Sequence, residues 1–114
     1  MINSVGNGLA PVDCFLLLRG IKTLALRLEQ QQRSAIRVAD YLHALGFLVH
    51  FPGLASHPGK EVHDRLARGP GAVLSFVTDD KALSERIVAA ARLWGISVSF
   101  GCVNSLISMP CLMS

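Results

Sequence analysis

A helical pattern that barely pauses over about thirty-five residues is the feature that most limits what this chain can fold into. It begins at Pro11, a residue suited to the first turn of a helix because its missing N–H would be unpaired there anyway. Asp13 follows at the positive end of the helix dipole, and apolar residues recur at Phe15, Leu18, Ile21, Ala25 and Leu28. Gln30 to Ser34 are polar but helix-compatible, and Ala35, Ile36, Ala39, Leu42 and Leu45 resume the stripe before Gly46 supplies a C-cap. One continuous helix of this length would reach about 50 Å at roughly 1.5 Å per residue, with a kink expected near Gly20 or at the glutamines. Such a strut is long for a self-contained domain of 114 residues. It suits a helix that runs from a larger body into a small terminal domain, so the chain divides into a lead-in segment and long helix, residues 1–45, and a small domain, residues 46–114.

The second part reads as α+β. Phe47 to Phe51 is a short strand closed by Pro52 and Gly53, followed by a Pro-, Gly- and His-rich stretch to Gly71 with a helical turn from Glu61 to Ala67. Ala72 to Val77 forms a second strand. Thr78, Asp79 or Asp80 caps a helix running to about Leu93, with Ala82, Ile87, Val88, Ala91 and Leu93 as its buried stripe before Gly95. In the tail, Ile96, Val98 and Phe100 alternate with Ser97 and Ser99, which predicts a strand with its apolar side chains on one face and its hydroxyls on the other. Gly101 separates it from a further β-like run, Ser105 to Met109, ahead of Pro110. Helices covering one face of a mostly antiparallel sheet is the expected layout. The chain stops while still apolar, which reads as an excerpt of a longer sequence.

Composition narrows the function. Hydrophobic residues make up 51% of the chain and mean hydropathy is +0.43, so apolar surface should remain after one small core is built. No apolar run reaches about eighteen residues, which argues against a membrane span, and Met1 to Ala10 lacks the pattern of a secretory signal. The expectation is a soluble chain, placed in the cytoplasm with an organelle as the other compartment. A net charge of +3 comes from arginines scattered along the chain, without a basic cluster or nucleic-acid motif, so nucleic acid is not an expected partner. Cys14, Cys102 and Cys111 are odd in number and show no CxxC spacing, and read as buried free thiols.

Candidate chemistry is thin when the residues are taken alone. His43, His50, His57 and His63 lack metal-ligand spacing, even with Glu61 and Asp64 nearby. A Schiff-base lysine must be desolvated or paired so that its amine is neutral, whereas Lys22 sits in a helix, Lys60 follows a Pro-Gly loop and Lys81 opens a helix beside two aspartates, and none reads as a nucleophile. No phosphate-cradling glycine loop is present, and no base or orienting group accompanies the cysteines. Ser97, Ser99 and Ser105 remain, and strand hydroxyls ordinarily bond neighbouring backbone or solvent.

Several stretches together resemble a known family. Leu9 to Leu42, Phe51 to His63 (FPGLASHPGKEVH), Gly71 to Thr78 (GAVLSFVT) and Ser97 to Pro110 (SVSFGCVNSLISMP) follow, in order, the pattern of the cysteine and methionine metabolism family of pyridoxal-phosphate enzymes. The VSFG and SLISMPCLMS stretches are most similar to its plant and fungal β-lyases. The resemblance implies the C-terminal small domain of the aspartate-aminotransferase type I fold, and a pyridoxal 5'-phosphate-dependent carbon–sulfur lyase that splits cystathionine to homocysteine, pyruvate and ammonia. A homo-oligomer is implied for the complete enzyme. Ser99 would help position the cofactor-bearing lysine and the substrate carboxylate, with Phe100 lining the same pocket. Val98 stands where γ-synthases and γ-lyases usually carry a glutamate, and so favours β-elimination. Arg19, Gly20 and Lys22 match an RG-x-K helix motif that serves as scaffold. The resemblance also implies that the cofactor lysine, phosphate loop, ring-pairing aspartate and stacking aromatic precede Met1, and that the carboxylate-binding arginine follows Ser114. No residue here takes those roles, so the chain alone is expected to be inactive. The alternatives are a γ-lyase or γ-synthase, or a non-catalytic domain that pairs with a partner through its surplus apolar face.

Overall fold

A computed structural model describes residues 4–99 and 101–112. The long helical pattern is two helices, α1 (Pro11–Ile21) and α2 (Leu24–Ala44). Of the two expected kink positions, the one near Gly20 is used, and it is a break. Gly20 carries the highest conformational entropy cost of the run and Thr23 is β-branched; Thr23 takes φ −109°, ψ 2°, outside the helical well. The glutamines remain helical. α2 ends as expected at Gly46, which adopts φ +89°. There the Gly46 N–H donates to His43 C=O at 3.0 Å and the Phe47 N–H to Leu42 C=O at 3.2 Å, the paired 5→2 and 6→1 bonds of a Schellman stop.

β1 (Leu48–His50) and β2 (Ser75–Val77) then pair antiparallel, with Leu48 opposite Val77, Val49 opposite Phe76 and His50 opposite Ser75. Period-two alternation decides which face packs: Val49 is buried while Leu48 and His50 are exposed. Between the strands lies α3 (Lys60–Leu66), close to the expected helical turn. α4 (Lys81–Ala90) starts at Asp80, whose Oδ1 accepts the N–H groups of Ala82 at 2.8 Å and Leu83 at 3.2 Å. Two of the four unpaired donors at the helix start are thereby satisfied. α4 ends at Ala90 and not near Leu93. Its stripe is only partly covered, with Ile87, Val88 and Ala91 half-buried and Ala82 and Leu93 exposed.

The core is one small cluster, Ala35 and Ala39 of α2 against Val49, Phe51 and Leu54, with Leu42, Phe47, Ala72, Leu74 and Phe76 packed around it. Phe51 is fully buried, and Phe47 meets Phe76 edge to face with ring centroids 5.4 Å apart. Nothing on α1 is buried. Val12, Phe15, Leu16, Leu17, Leu18 and Ile21 are all exposed, which is the apolar surplus expected from composition. The radius of gyration is 17.6 Å, against about 13 Å for a compact chain of this length, so α1 stands away from the core.

Two sequence expectations need correction. The sheet is not one mostly antiparallel layer: the described strands form two separate pairs, β1–β2 antiparallel and β3 (Gly95–Ile96) with β4 (Leu106–Ile107) parallel. The cysteines are free but not buried, since Cys14 and Cys111 are exposed and Cys102 is half-buried. Cys14 lies on uncovered α1 and Cys111 in a terminal 3₁₀ turn, Pro110–Leu112, with no buried residue. No described helix is long and apolar enough to cross a membrane.

Phe51→Ala should lower the unfolding free energy by about 3–5 kcal/mol, because it removes a fully buried aromatic side chain from the core. Asp80→Ala should cost about 1 kcal/mol through loss of the α4 cap. Urea unfolding of the two variants beside the parent measures both, and equal losses would contradict this assignment of the core.

Candidate functional site

The tail departs from the predicted strand at the residues that matter. β3 stops at Ile96, since β4 offers only Leu106 and Ile107 as partners for Gly95 and Ile96. Beyond that point the described residues form no ladder, and Ser97, Val98 and Ser99 are irregular and exposed. Val98 is 65% exposed, so its side chain does not pack on the core. Phe100, the third predicted site residue, lies outside the described residues. Gly101 takes φ +75° and turns the chain, a conformation that a Cβ would strain. Ser105 is exposed, and its backbone carbonyl accepts the Gly95 N–H at 2.9 Å.

Side chains of α2 replace the missing ladder. Arg27 donates from Nη1 to Gly101 C=O at 2.5 Å, from Nη2 to Gly20 C=O at 2.9 Å, and from Nε to Thr23 Oγ1 at 3.1 Å. Gln31 donates from Nε2 to Cys102 C=O at 2.8 Å. At the next residue, Gln32 Oε1 accepts the Gly71 N–H at 3.1 Å, so neighbouring glutamines secure two different loops. At Gly69 a Cβ would meet the Gln32 amide, so a side chain there would have to displace the group that holds Gly71.

Sequence reasoning passed over Arg27 and Gln31 by counting one as a scattered surface arginine and the other as helix-compatible filler. A signal was present: Thr23, Arg27 and Gln31 recur at four-residue spacing and therefore share one face of the helix. The histidines have local duties. His57 Nδ1 accepts the Gly59 N–H at 3.1 Å, and His63 Nε2 donates to Gly69 C=O at 2.9 Å. Among the described residues no group of three or more His, Cys, Asp or Glu side chains is placed to hold a metal.

The whole chain, residues 1–114, matches the family described as Cys/Met metabolism PLP-dependent enzyme, and the chain belongs to that family. It is 67% identical over 113 residues to cystathionine beta-lyase of Neurospora crassa, covering 99% of this chain and 25% of that protein. It is 53% identical over 114 residues to the chloroplastic cystathionine beta-lyase of Arabidopsis thaliana, covering 98% of this chain and 25% of that one. The crystal structure of cystathionine gamma synthase from Xanthomonas oryzae pv. oryzae in complex with aminoacrylate and cysteine superposes with TM-score 0.88 at 38% identity, over 97% of this chain and 30% of that chain. The chain thus spans about a quarter of the length of these curated relatives.

Pyridoxal phosphate is the cofactor of the family, but the described residues do not assemble a site that fits it. Lys60 Nζ bonds both carboxylate oxygens of Asp64 at 3.0 and 3.2 Å. Lys81 pairs with Glu85 at 3.7 Å, and Lys22 is exposed at the α1–α2 break. None of the three is enclosed as a nucleophilic amine requires. Two shallow, open depressions mark the surface, one of about 400 Å³ beside α3 and one of about 520 Å³ between Trp94 and Asn104. Val98 and Ser99 line neither. Mixed with pyridoxal phosphate, the chain should therefore develop no borohydride-trappable absorbance band near ~420 nm, where such lysine adducts absorb; a clear band would overturn this assignment of the lysines.

Proposed function

We propose that this sequence supplies the small-domain wall of the active site in a carbon–sulfur lyase that acts on cystathionine. The activity proposed is β-elimination, breaking the Cβ–S bond to release homocysteine, pyruvate and ammonia. The single observation that carries it is the 67% identity to the Neurospora crassa cystathionine beta-lyase over 113 residues. A family resemblance alone would leave β- and γ-chemistry equal, whereas identity at this level favours a shared reaction. Val98 supports the same choice, since a carboxylate at that position is what the γ-enzymes are expected to use.

The proposed fold is the C-terminal domain of the aspartate-aminotransferase type I architecture, with residues 1–45 as the lead-in segment and helix and 46–114 as the small α+β domain. Ser99 is proposed to position the substrate carboxylate and the cofactor-bearing lysine. Val98 bounds the far end of the substrate, and Phe100 lines the same pocket. Pyridoxal phosphate would provide the electron sink of the reaction. No step of that chemistry is assigned to a group of this chain. A homo-oligomer in the cytoplasm or an organelle completes the reading; the Arabidopsis relative is chloroplastic by name.

A γ-synthase or γ-lyase is the second reading, favoured by the TM-score of 0.88 to the Xanthomonas oryzae γ-synthase. Both readings meet one test. These 114 residues can replace the matching quarter of the Neurospora crassa enzyme, and the chimera can be assayed for pyruvate release from cystathionine. Retained β-elimination, lowered at least about tenfold by Val98→Glu (about 1.4 kcal/mol in the barrier), is the expected result. A chimera that releases α-ketobutyrate in place of pyruvate would favour the γ-reading, and an inactive but folded chimera would refute the proposal.

A further inference from the structure

The tail segment bearing Val98 and Ser99 has little of its own to hold it. Its strand pairing ends at Ile96, Val98 and Ser99 are both exposed, and Gly101 sits in the left-handed region at φ +75°. Apart from the Gly95 N–H bond to Ser105 C=O, its described hydrogen bonds to the rest of the molecule come from two side chains. Arg27 and Gln31 lie one helical turn apart and take the consecutive carbonyls of Gly101 and Cys102.

Arg27 does more than a surface cation ordinarily would. A guanidinium presents its donors in a rigid planar fork, so three acceptors held at once define its position and theirs together. Two of its acceptors, Gly20 C=O and Thr23 Oγ1, belong to the break between α1 and α2, and the third, Gly101 C=O, belongs to the tail. Gly20 C=O is among the last carbonyls of α1, which that helix cannot pair internally. Among the described residues the ion pairs are Arg33 with Glu29, Lys60 with Asp64 and Lys81 with Glu85, and none involves Arg27. Its charge is directed to main-chain carbonyls, which are weaker partners than a carboxylate but are fixed in space by the fold.

From this we propose that Arg27, assisted by Gln31, is the positioning residue of the substrate wall. Its guanidinium ties the backbone at Gly101 to the α1–α2 joint and so sets where Val98 and Ser99 stand. This rests on the reading above in which Ser99 faces the substrate. Arg27 touches no reacting atom and acts through the backbone of Gly101.

The test uses the chimera in a double-mutant cycle of Arg27→Ala and Ser99→Ala, because residues that act as one unit give non-additive losses. Arg27→Ala should lower kcat/KM about tenfold, and the double variant should fall no more than about twofold below the worse single variant. Losses that multiply, or an Arg27→Ala variant within twofold of the parent, would overturn the proposal. Should the alanine variant fail to fold, Arg27→Lys replaces it, keeping stem and charge but not the fork, and the same non-additivity is expected.

Amide hydrogen exchange provides a readout independent of activity. The backbone at residues 101–104 should exchange at least about tenfold faster in Arg27→Ala, with the β1–β2 amides unchanged. If Ser99→Ala is silent or the parent chimera is inactive, the site reading fails while exchange still decides the clamp. Faster exchange confined to 101–104 upholds it, and unchanged exchange refutes it.

Discussion

The close approach of α2 to the β1–β2 pair is the contact on which the rest of the structure depends. It is possible because the residues α2 presents there are Ala35 and Ala39, both buried, which leave room for the fully buried Phe51 ring and for Val49. A longer side chain at either alanine would lift the helix from the sheet and expose that ring. The core is so small that little else is apolar-driven: among the described residues five buried ones organise the domain, and the remainder is held by caps, turns and side-chain ties. At about 25 cal/mol per Å² of apolar burial, a cluster of this size leaves a narrow margin. Single hydrogen-bonded attachments therefore matter more here than in a larger domain.

α2 is the source of those attachments. Its apolar face makes the core, and adjoining positions reach outward, Arg27 and Gln31 to the tail and Gln32 to the loop at Gly71. The helix thus acts as a ruler along which two loops are set at fixed separations, a precision that loops do not achieve by themselves. A segment tied this way is fixed relative to the helix without being part of it. The tail can be an irregular segment and still occupy one position.

Much of this was legible in the chain. Pro11 and Gly46 marked helix ends, and Thr78, Asp79 or Asp80 marked a third, because their chemistry is local: a missing N–H, a tolerated positive φ, a short oxygen-bearing side chain facing unpaired donors; the structure selected Asp80. The β1 and β2 strands were legible from their alternation and the turn residues around them. The tail was not, although Ile96 to Phe100 alternates as cleanly as any strand. Alternation states what a strand would do with its side chains, but a strand also needs a partner for its backbone, and β4 is too short to serve beyond Ile96. The same limit hid Arg27, whose acceptor at Gly101 is 74 residues away.

What the sequence determined by itself was most of the local elements ahead of the tail, the family, and the residue types offered at the candidate wall, including an apolar Val98 and the hydroxyl of Ser99. These follow from short-range sterics, hydrogen-bonding capacity and motif content, all carried within a few residues of each position. Only the tertiary structure decided that the helical run breaks at Thr23, that α1 keeps its apolar face uncovered, and that the tail is held by Arg27 and Gln31 in place of a β-ladder. Those outcomes depend on which distant carbonyls and side chains come within about 3 Å of one another, and no local pattern contains that information.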